Sequence, residues 1–396
     1  MKLFDSIIEI GSFSIKTIIF SNENDVPKIE GFGKSNTQGF NGNDVTSFDE
    51  FIDSIKKSVV QAEKQSNFII KECFILLANK SIKINKFKNS LMLNDSIIEN
   101  NDVRKLSKIK LNPQKDFIQN IHTSHYQIND ELITDNPIGL SCKKLSRISL
   151  VSMIEKKQVD LIENIFQKLQ IKIINYMDST SSYFLYLKGK KLNKKNLILI
   201  DYGFNHINIL IIKNKQISSS KTLPIGCRMI SEDLVKMLNV SFDFAEKLKI
   251  SAIDLFNDRN PVIEIPVWEE FGNNIKNKKT HDYIKEIITS RLDETFNTIF
   301  KILPQDKSFY SYLFTGGGSQ MKNFQLYFRS KYGHDIQFLK PPSSSGIPKV
   351  LNDSSFMSIY CAYYLQTQKS TEKDDFLKKI DSFSNKIWYK RFVDLL

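Results

Sequence analysis

At 396 residues the chain exceeds what one hydrophobic core usually serves, so two or more lobes are expected. Hydrophobic residues at 41% and charged residues at 25% suit a globular protein in water; no apolar run is long enough for a membrane-spanning helix, and Asp5 and Glu9 interrupt the one that could be a secretory signal. The lack of both predicts a protein that stays in the cytoplasm, and the formal charge of +12, spread along a Lys-, Ile- and Asn-rich chain without basic residues interleaved with aromatics, argues against nucleic acid as a partner.

Ile7 to Ile18, IIEIGSFSIKTI, is a hydrophobic run, an acid, a glycine two residues later, a polar turn and a second hydrophobic run. The same pattern returns 192 positions on within Leu197 to Ile212, LILIDYGFNHINILII, with Asp201 for Glu9, Gly203 for Gly11 and Ile207 for Ile15. Each copy predicts a buried strand, a tight turn and an antiparallel return strand. A buried acid needs a partner such as a hydrated cation, and a nearby glycine lets a ligand approach the backbone. Two such hairpins in one phase point to a duplicated nucleotide-binding fold.

Between them, Lys28 to Gly33 predicts a third strand, and Ser47 with Glu50 a capping box opening a helix with Phe51, Ile55, Val59 and Ala62 on one face. Cys73 to Ala78 follows as a strand. From about Ser81 to Lys157 short apolar runs among Lys and Asn predict a small inserted subdomain of strands and a helix. Gln158 to Leu169 predicts an amphipathic helix, Ile171 to Asn175 a strand, and the polar run Lys188 to Asn196 a hinge between halves. Cys73, Cys142, Cys227 and Cys361 lack paired spacing and read as reduced, packed thiols, and His122 and His125 as surface residues.

After the second hairpin, Lys221 to Gly226 predicts a strand and Ser231 the start of a helix. Ser241 is placed to cap a further helix carrying Glu246 and Lys249, whose spacing of three predicts a surface ion pair. Ile284 to Leu303 carries a helical stripe, and Tyr312 to Ser319, YLFTGGGS, predicts a strand ending in glycines before a helix from about Asn323.

Taken in this order, the motifs resemble those of the actin-like ATPase superfamily and, within it, the FtsA family of bacterial cell-division proteins. IEIGS at Ile8 to Ser12 resembles the first phosphate loop, LIDYG at Leu199 to Gly203 stands at the second, and FTGGGSQ at Phe314 to Gln320 resembles the adenosine loop. NPIGLS at Asn136 to Ser141 resembles part of the family's inserted subdomain, and AEKLK at Ala245 to Lys249 the helix facing the nucleoside. The resemblance implies an α/β, ribonuclease H-like, duplicated two-lobe fold with ATP and Mg²⁺ between the lobes. It implies Glu9 and Asp201 beside phosphates and metal, and Gly11, Ser12 and Gly203 presenting backbone to the phosphates. Glu246 and Lys249 would meet the ribose or base, and Gly316, Gly317 and Gly318 the adenine.

The departures carry their own expectation. In the second loop Phe204, Asn205 and His206 stand where the family places glycines and a threonine, Glu9 replaces an aspartate, and Ser14 replaces a lysine, although Lys16 stands where actin carries one. Nucleotide binding is therefore expected to be weak or lost.

The implied organisation runs from a first lobe at 1–80, through an insertion at 81–157 and a first-lobe return with hinge at 158–195, to a second lobe at 196–227, its outer subdomain at 228–303 and its return at 304–365. The polar stretch 366–375 predicts a flexible linker. Beyond it Phe376, Ile380, Phe383, Ile387, Trp388, Phe392 and Leu395 share half of a helical wheel, with Lys378, Lys379, Lys386 and Lys390 mostly opposite, as suits an interfacial helix on an anionic membrane. The function implied is attachment of FtsZ filaments to the inner face of the cytoplasmic membrane at the division septum, with self-association and later divisome proteins as further partners. FtsZ would dock within Arg228 to Leu303. The rivals are a PilM-like adaptor of a pilus or secretion machine, which needs no such tail, and a small-molecule kinase of the same superfamily.

Overall fold

The computed structural model describes residues 4–23, 26–42, 44–77, 82–106, 116–190, 195–257, 262–266, 276–306, 309–343 and 346–371. The membrane-binding residues expected at 376–396 lie outside them.

The first hairpin is β1 (Phe4–Ile10) and β2 (Ser14–Glu23), followed by β3 (Val26–Asn36), helix α1 (Phe48–Ser66) and β4 (Glu72–Leu77). Ser47 stands at the N-cap of α1 without a side-chain capping bond, so the expected capping box does not form. The stripe Phe51, Ile55, Val59 and Ala62 is buried as the periodicity requires. Next come β5 (Lys83–Ile97), α2 (Asn100–Lys105), β6 (Asp116–Ile128), β7 (Leu132–Thr134) and β8 (Ser141–Glu155), whose strands form a separate sheet in the order β5-β8-β6-β7. His125 sits on β6 and is buried, not at the surface; its pKa is pushed down to about 4 by burial and by Lys86. The chain returns through α3 (Lys156–Lys168), β9 (Lys172–Asp178) and α4 (Ser179–Gly189).

The second hairpin is β10 (Leu197–Tyr202) and β11 (Ile207–Lys213), with β12 (Gln216–Leu223) beside it. Helices α5 (Arg228–Leu238) and α6 (Phe242–Lys247), strands β13 (Val262–Pro266) and β14 (Lys276–Thr280) and the long α7 (His281–Ile302) follow. The chain then runs through β15 (Ser311–Thr315), α8 (Phe324–Tyr332), β16 (Ile336–Phe338) and α9 (Met357–Thr371).

The two main sheets have the orders β3-β2-β1-β4-β9 and β12-β11-β10-β15-β16. In each, an antiparallel hairpin and its neighbour continue into two parallel strands, so the repeat read in the sequence is a repeat of topology. Strand alternation explains how the sheets share a core. Ile8 and Ile10 of β1 face a cluster with α1 and α3, and Ile198 and Ile200 of β10 face one with α5 and α7. Ile7 of β1 and Leu197 and Leu199 of β10 face a common cluster built from α4 and α9.

Helices α4 and α9 thus form a layer between the two sheets, apolar around most of their circumference. This is why 366–371 is helix and not the expected linker: α9 runs on through Gln366, whose amide donates to Met177 Sδ at 3.3 Å, and buried Thr367. Gln and Lys are good helix formers and no Gly or Pro interrupts them.

Candidate functional site

Glu9 lies one residue from the end of β1 and shares Ile7's side of the strand, so its carboxylate enters the central helical layer. Asp201 does the same from β10 on the parity of Leu199. Across the ladder Glu9 pairs with Lys16 and Asp201 with Asn208, positions again 192 apart. The duplication therefore places an acid and its cross-strand partner at the cleft end of each sheet.

Each acid is already engaged. Lys16 Nζ donates to Glu9 Oε2 at 3.1 Å and to the Ser355 carbonyl at 2.7 Å, while Ser358 Oγ donates to Glu9 Oε1 at 2.7 Å. Asp201 Oδ2 accepts from the Tyr183 hydroxyl at 3.1 Å, and Asn208 also hydrogen-bonds this carboxyl. Glu9 is 5% exposed and Asp201 8%, so neither relies on bulk water.

Burial pushes the Asp201 carboxyl up from 3.8 to about 6, the Tyr183 and Asn208 hydrogen bonds and the Lys16 charge opposing and the Glu9 charge adding. Between 3.8 and about 6 the folded chain keeps a proton that the unfolded chain has lost. Stability therefore falls as pH rises through that window, by about 3 kcal/mol in all. Asp201→Asn keeps an oxygen for Tyr183 and removes this cost. It is expected to raise the denaturant midpoint near neutral pH, by an amount that shrinks as pH falls through about 6 and is gone below 3.8; equilibrium urea titrations across pH read this directly.

The two turns have the same construction. A Cβ on Gly11 would stand 2.7 Å from the Ser14 carbonyl oxygen, and one on Gly203 2.7 Å from that of His206. Both glycines thus serve turn closure within the protein. Ser12 stands in the first turn within reach of Gly42, where an added Cβ would meet Ser12 Cβ and His206 Cε1, each at 3.1 Å. The carbonyls of Gly203 and Phe204 accept from the amides of Cys227 and Arg228 at 3.0 Å each, so the first turn of α5 is spent on the hairpin.

The mouth between the turns is filled by side chains. Phe13 of the first turn and Phe204 of the second lie with ring centroids 4.8 Å apart, and Asn205 Nδ2 donates to the Asn41 carbonyl at 2.6 Å. Phe204 also meets Phe242 at 6.0 Å and carries Lys249 Nζ 5.6 Å from its ring centroid. A shallow cavity of about 320 Å³ opens beyond Phe204, lined by His206, Ile225, Arg228, Met229 and Glu232 among others.

Glu246 and Lys249 form an ion pair at 2.6 Å, but it is not the surface pair that spacing suggested. Lys249 has no exposed surface; its ammonium also donates to Ser231 Oγ at 2.8 Å and to the Cys227 carbonyl at 3.2 Å, and Ser231 Oγ bonds Glu246 as well. The pair ties α6 to α5. Lys249, expected to meet a nucleoside, is fully buried behind Phe204.

The three glycines after β15 differ from one another. Gly316 has φ +84°, and a Cβ there would fall 2.5 Å from Asp201 Oδ1 and 2.7 Å from the Tyr202 carbonyl oxygen. At Gly318 a Cβ would meet the Tyr202 ring at 2.9 Å, whereas at Gly317 the nearest atom is Ser355 Cβ at 4.0 Å. Thr315 Oγ1 and Gly316 N both donate to the Ser354 carbonyl, stitching this turn to the segment that receives Lys16.

The structure thus gathers Glu9, Asp201 and Gly316 around the start of α9, with Gly11, Ser12 and Gly203 in the adjoining turns, and sets Lys249 apart in the core. Sequence reasoning missed Lys16, Tyr183 and Ser358 as the acids' partners. The 192-residue phase that aligned the acids also aligns Lys16 with Asn208, a signal that was available for the first.

The donor set does not suit a metal ion. Both oxygens of Glu9 and one of Asp201 are taken by protein donors, Lys16 already supplies the positive charge, and among the described residues no group of three or more His, Cys, Asp or Glu is placed to hold a metal. The rings of Phe13 and Phe204 stand together between the two turns where a phosphate chain was expected.

The family model described as "Cell division protein FtsA" matches residues 198–360. Cell division protein FtsA of Buchnera aphidicola subsp. Schizaphis graminum is 23% identical, the match covering 97% of each chain. That of Enterococcus hirae is 20% identical over 84% of this chain and 77% of the relative. Among solved structures, a chain of the PilM-PilN type IV pilus biogenesis complex superposes with a TM-score of 0.61 at 10% identity, covering 92% of this chain and 98% of that one. MreB 5 of Spiroplasma citri bound to AMPPNP gives 0.51 at 10% identity, covering 93% and 97%. The fold is actin-like, and the resemblance to FtsA read from the sequence is borne out.

Proposed function

We propose that this chain, an actin-like relative of the FtsA cell-division proteins, works in bacterial cell division as an adaptor that joins FtsZ filaments to the inner face of the cytoplasmic membrane at the septum. The observation that carries this reading is the alignment with an FtsA over 97% of both chains, insertion included, on a duplicated actin-like framework. Among the described residues no helix is long and apolar enough to cross a membrane, so attachment falls to the amphipathic sequence at 376–396. One peripheral helix binds reversibly, and self-association would multiply weak tails into stable attachment.

In this reading FtsZ docks on the second lobe's outer part within 228–303, while the inserted sheet β5-β8-β6-β7 serves self-association and later divisome proteins. The chain acts as a scaffold and not as a true catalyst. A kinase needs an open phosphate site with space for an acceptor, and the rings of Phe13 and Phe204 stand there instead. The likeness to PilM is one of fold at 10% identity and gives the pilus adaptor no independent support.

The test is co-sedimentation with FtsZ polymers. Filaments assembled with GTP are expected to carry the chain into the pellet, and a chain with exposed charges of α7 reversed, such as Glu286→Lys with Lys301→Glu, to be carried down less. A chain that stays in the supernatant at saturating polymer would remove the FtsZ reading.

A further inference from the structure

We propose that the chain clasps its own inter-lobe cleft, so that the closed arrangement of its lobes is set by protein contacts and not by a nucleotide. The inference rests on the actin-like placement of the two turns and is independent of the cell-division role.

Two sets of contacts make the clasp. The inner one is buried and polar: the Lys16 ammonium bridges Glu9, on the first sheet, to the Ser355 carbonyl, and Ser358 closes the other oxygen of Glu9. The same segment is bonded to the second sheet, because the Ser354 carbonyl accepts from Thr315 and Gly316. A cation thus sits where it holds an acid of one lobe to a backbone anchored on the other. The outer set is the contact of Phe13 with Phe204, 4.8 Å between centroids, backed by the hydrogen bond from Asn205 to Asn41.

Three physical properties fit a permanent closure. Phe204 is itself held from behind by Phe242 and the Lys249 ammonium, so withdrawing it exposes a buried charge. Opening the cleft would break the hydrogen bonds from Lys16 to the Ser355 carbonyl and from Ser358 to Glu9, taking one donor from a carboxylate that is 5% exposed. Aromatic pairs, finally, add to their area burial when the rings are tilted, as here at 52°.

Hydrogen exchange of the purified full chain, treated with a chelator and freed of nucleotide, tests this at the amides of 11–14 and 203–206. These amides are expected to exchange equally slowly with and without millimolar ATP and magnesium. In Phe13→Ala/Phe204→Ala they are expected to exchange roughly tenfold faster, and ATP with magnesium is not expected to restore protection. Phe309→Ala, at a ring exposed far from the turns, serves as the matched control and should leave them unchanged.

Slowing of exchange by ATP in the unmodified chain would overturn the proposal, since a nucleotide would then be doing the clasping; this arm needs no variant and stands even if the double variant fails to fold. An unchanged rate in the double variant would also overturn it. Either failure leaves the FtsZ co-sedimentation result untouched, so the two readings fall separately.

Discussion

Lys16→Met is expected to destabilise the fold by about 3–5 kcal/mol, the cost of leaving one member of a buried ion pair without its partner. The stranded group is Glu9, 5% exposed, which would keep only Ser358 as a donor. The Ser355 carbonyl would lose the ammonium at 2.7 Å, so the damage spans the first sheet and the start of α9. Restoring neutrality should restore most of the stability: Glu9→Gln/Lys16→Met is expected to recover more than half of the loss, because two neutral groups of similar shape carry a smaller desolvation cost than one unpaired charge. Urea titrations of the two single variants and the double variant form a cycle that isolates the pair. A loss below about 1 kcal/mol in Lys16→Met would place Glu9 in contact with water and remove the buried bridge from the account.

Gly316→Ala is the second large effect. The backbone at φ +84°, ψ 164° belongs to a region that is nearly glycine's alone, and forcing another residue into it costs about 1–3 kcal/mol before any contact is counted. The new methyl would overlap Asp201 Oδ1 and the Tyr202 carbonyl, neither of which is the end of a flexible side chain free to swing away. A total near 3 kcal/mol or more is expected, with a shift in the pH dependence of Asp201 as the sheet ends are pushed apart. The neighbouring Gly317→Ala is the contrast, expected to change stability by about 0.5 kcal/mol or less because only Ser355 Cβ lies within reach, at 4.0 Å. Equal losses at the two positions would mean that the glycine run is used as a whole, as a ligand loop would use it, and not as one close approach between strands β10 and β15.

What could be read in the sequence follows from where each element sits. The two hairpins were legible because each strand faces different clusters with alternate residues and is apolar on both, a pattern repeated at a fixed interval. Helix α1 and the long α7 were legible because one face meets a sheet and the other meets solvent. Helices α4 and α9 were not, since both lie between two sheets and carry Tyr, Phe, Leu and Cys on nearly every side, leaving no stripe to detect. The last turns of α9 were hidden for the opposite reason, a polar composition that resembles a linker. At the site, spacing showed that Glu246 and Lys249 would pair but not that Phe204 and α5 bury the lysine completely. The substitutions at Phe204 and Asn205 signalled a filled cleft; the ring that meets Phe204 could be found only in three dimensions, since Phe13 lies 191 residues away.

Flotation or sedimentation of the purified chain with anionic liposomes, run beside a chain ending at Thr371 and repeated with FtsZ polymers, separates an anchored adaptor from an unanchored one. The full chain is expected to bind the liposomes and bring FtsZ with it, while the shortened chain binds FtsZ and leaves the liposomes bare. If both chains ignore the liposomes at excess lipid, the segment beyond Thr371 is not an anchor, and the adaptor role at the membrane is contradicted.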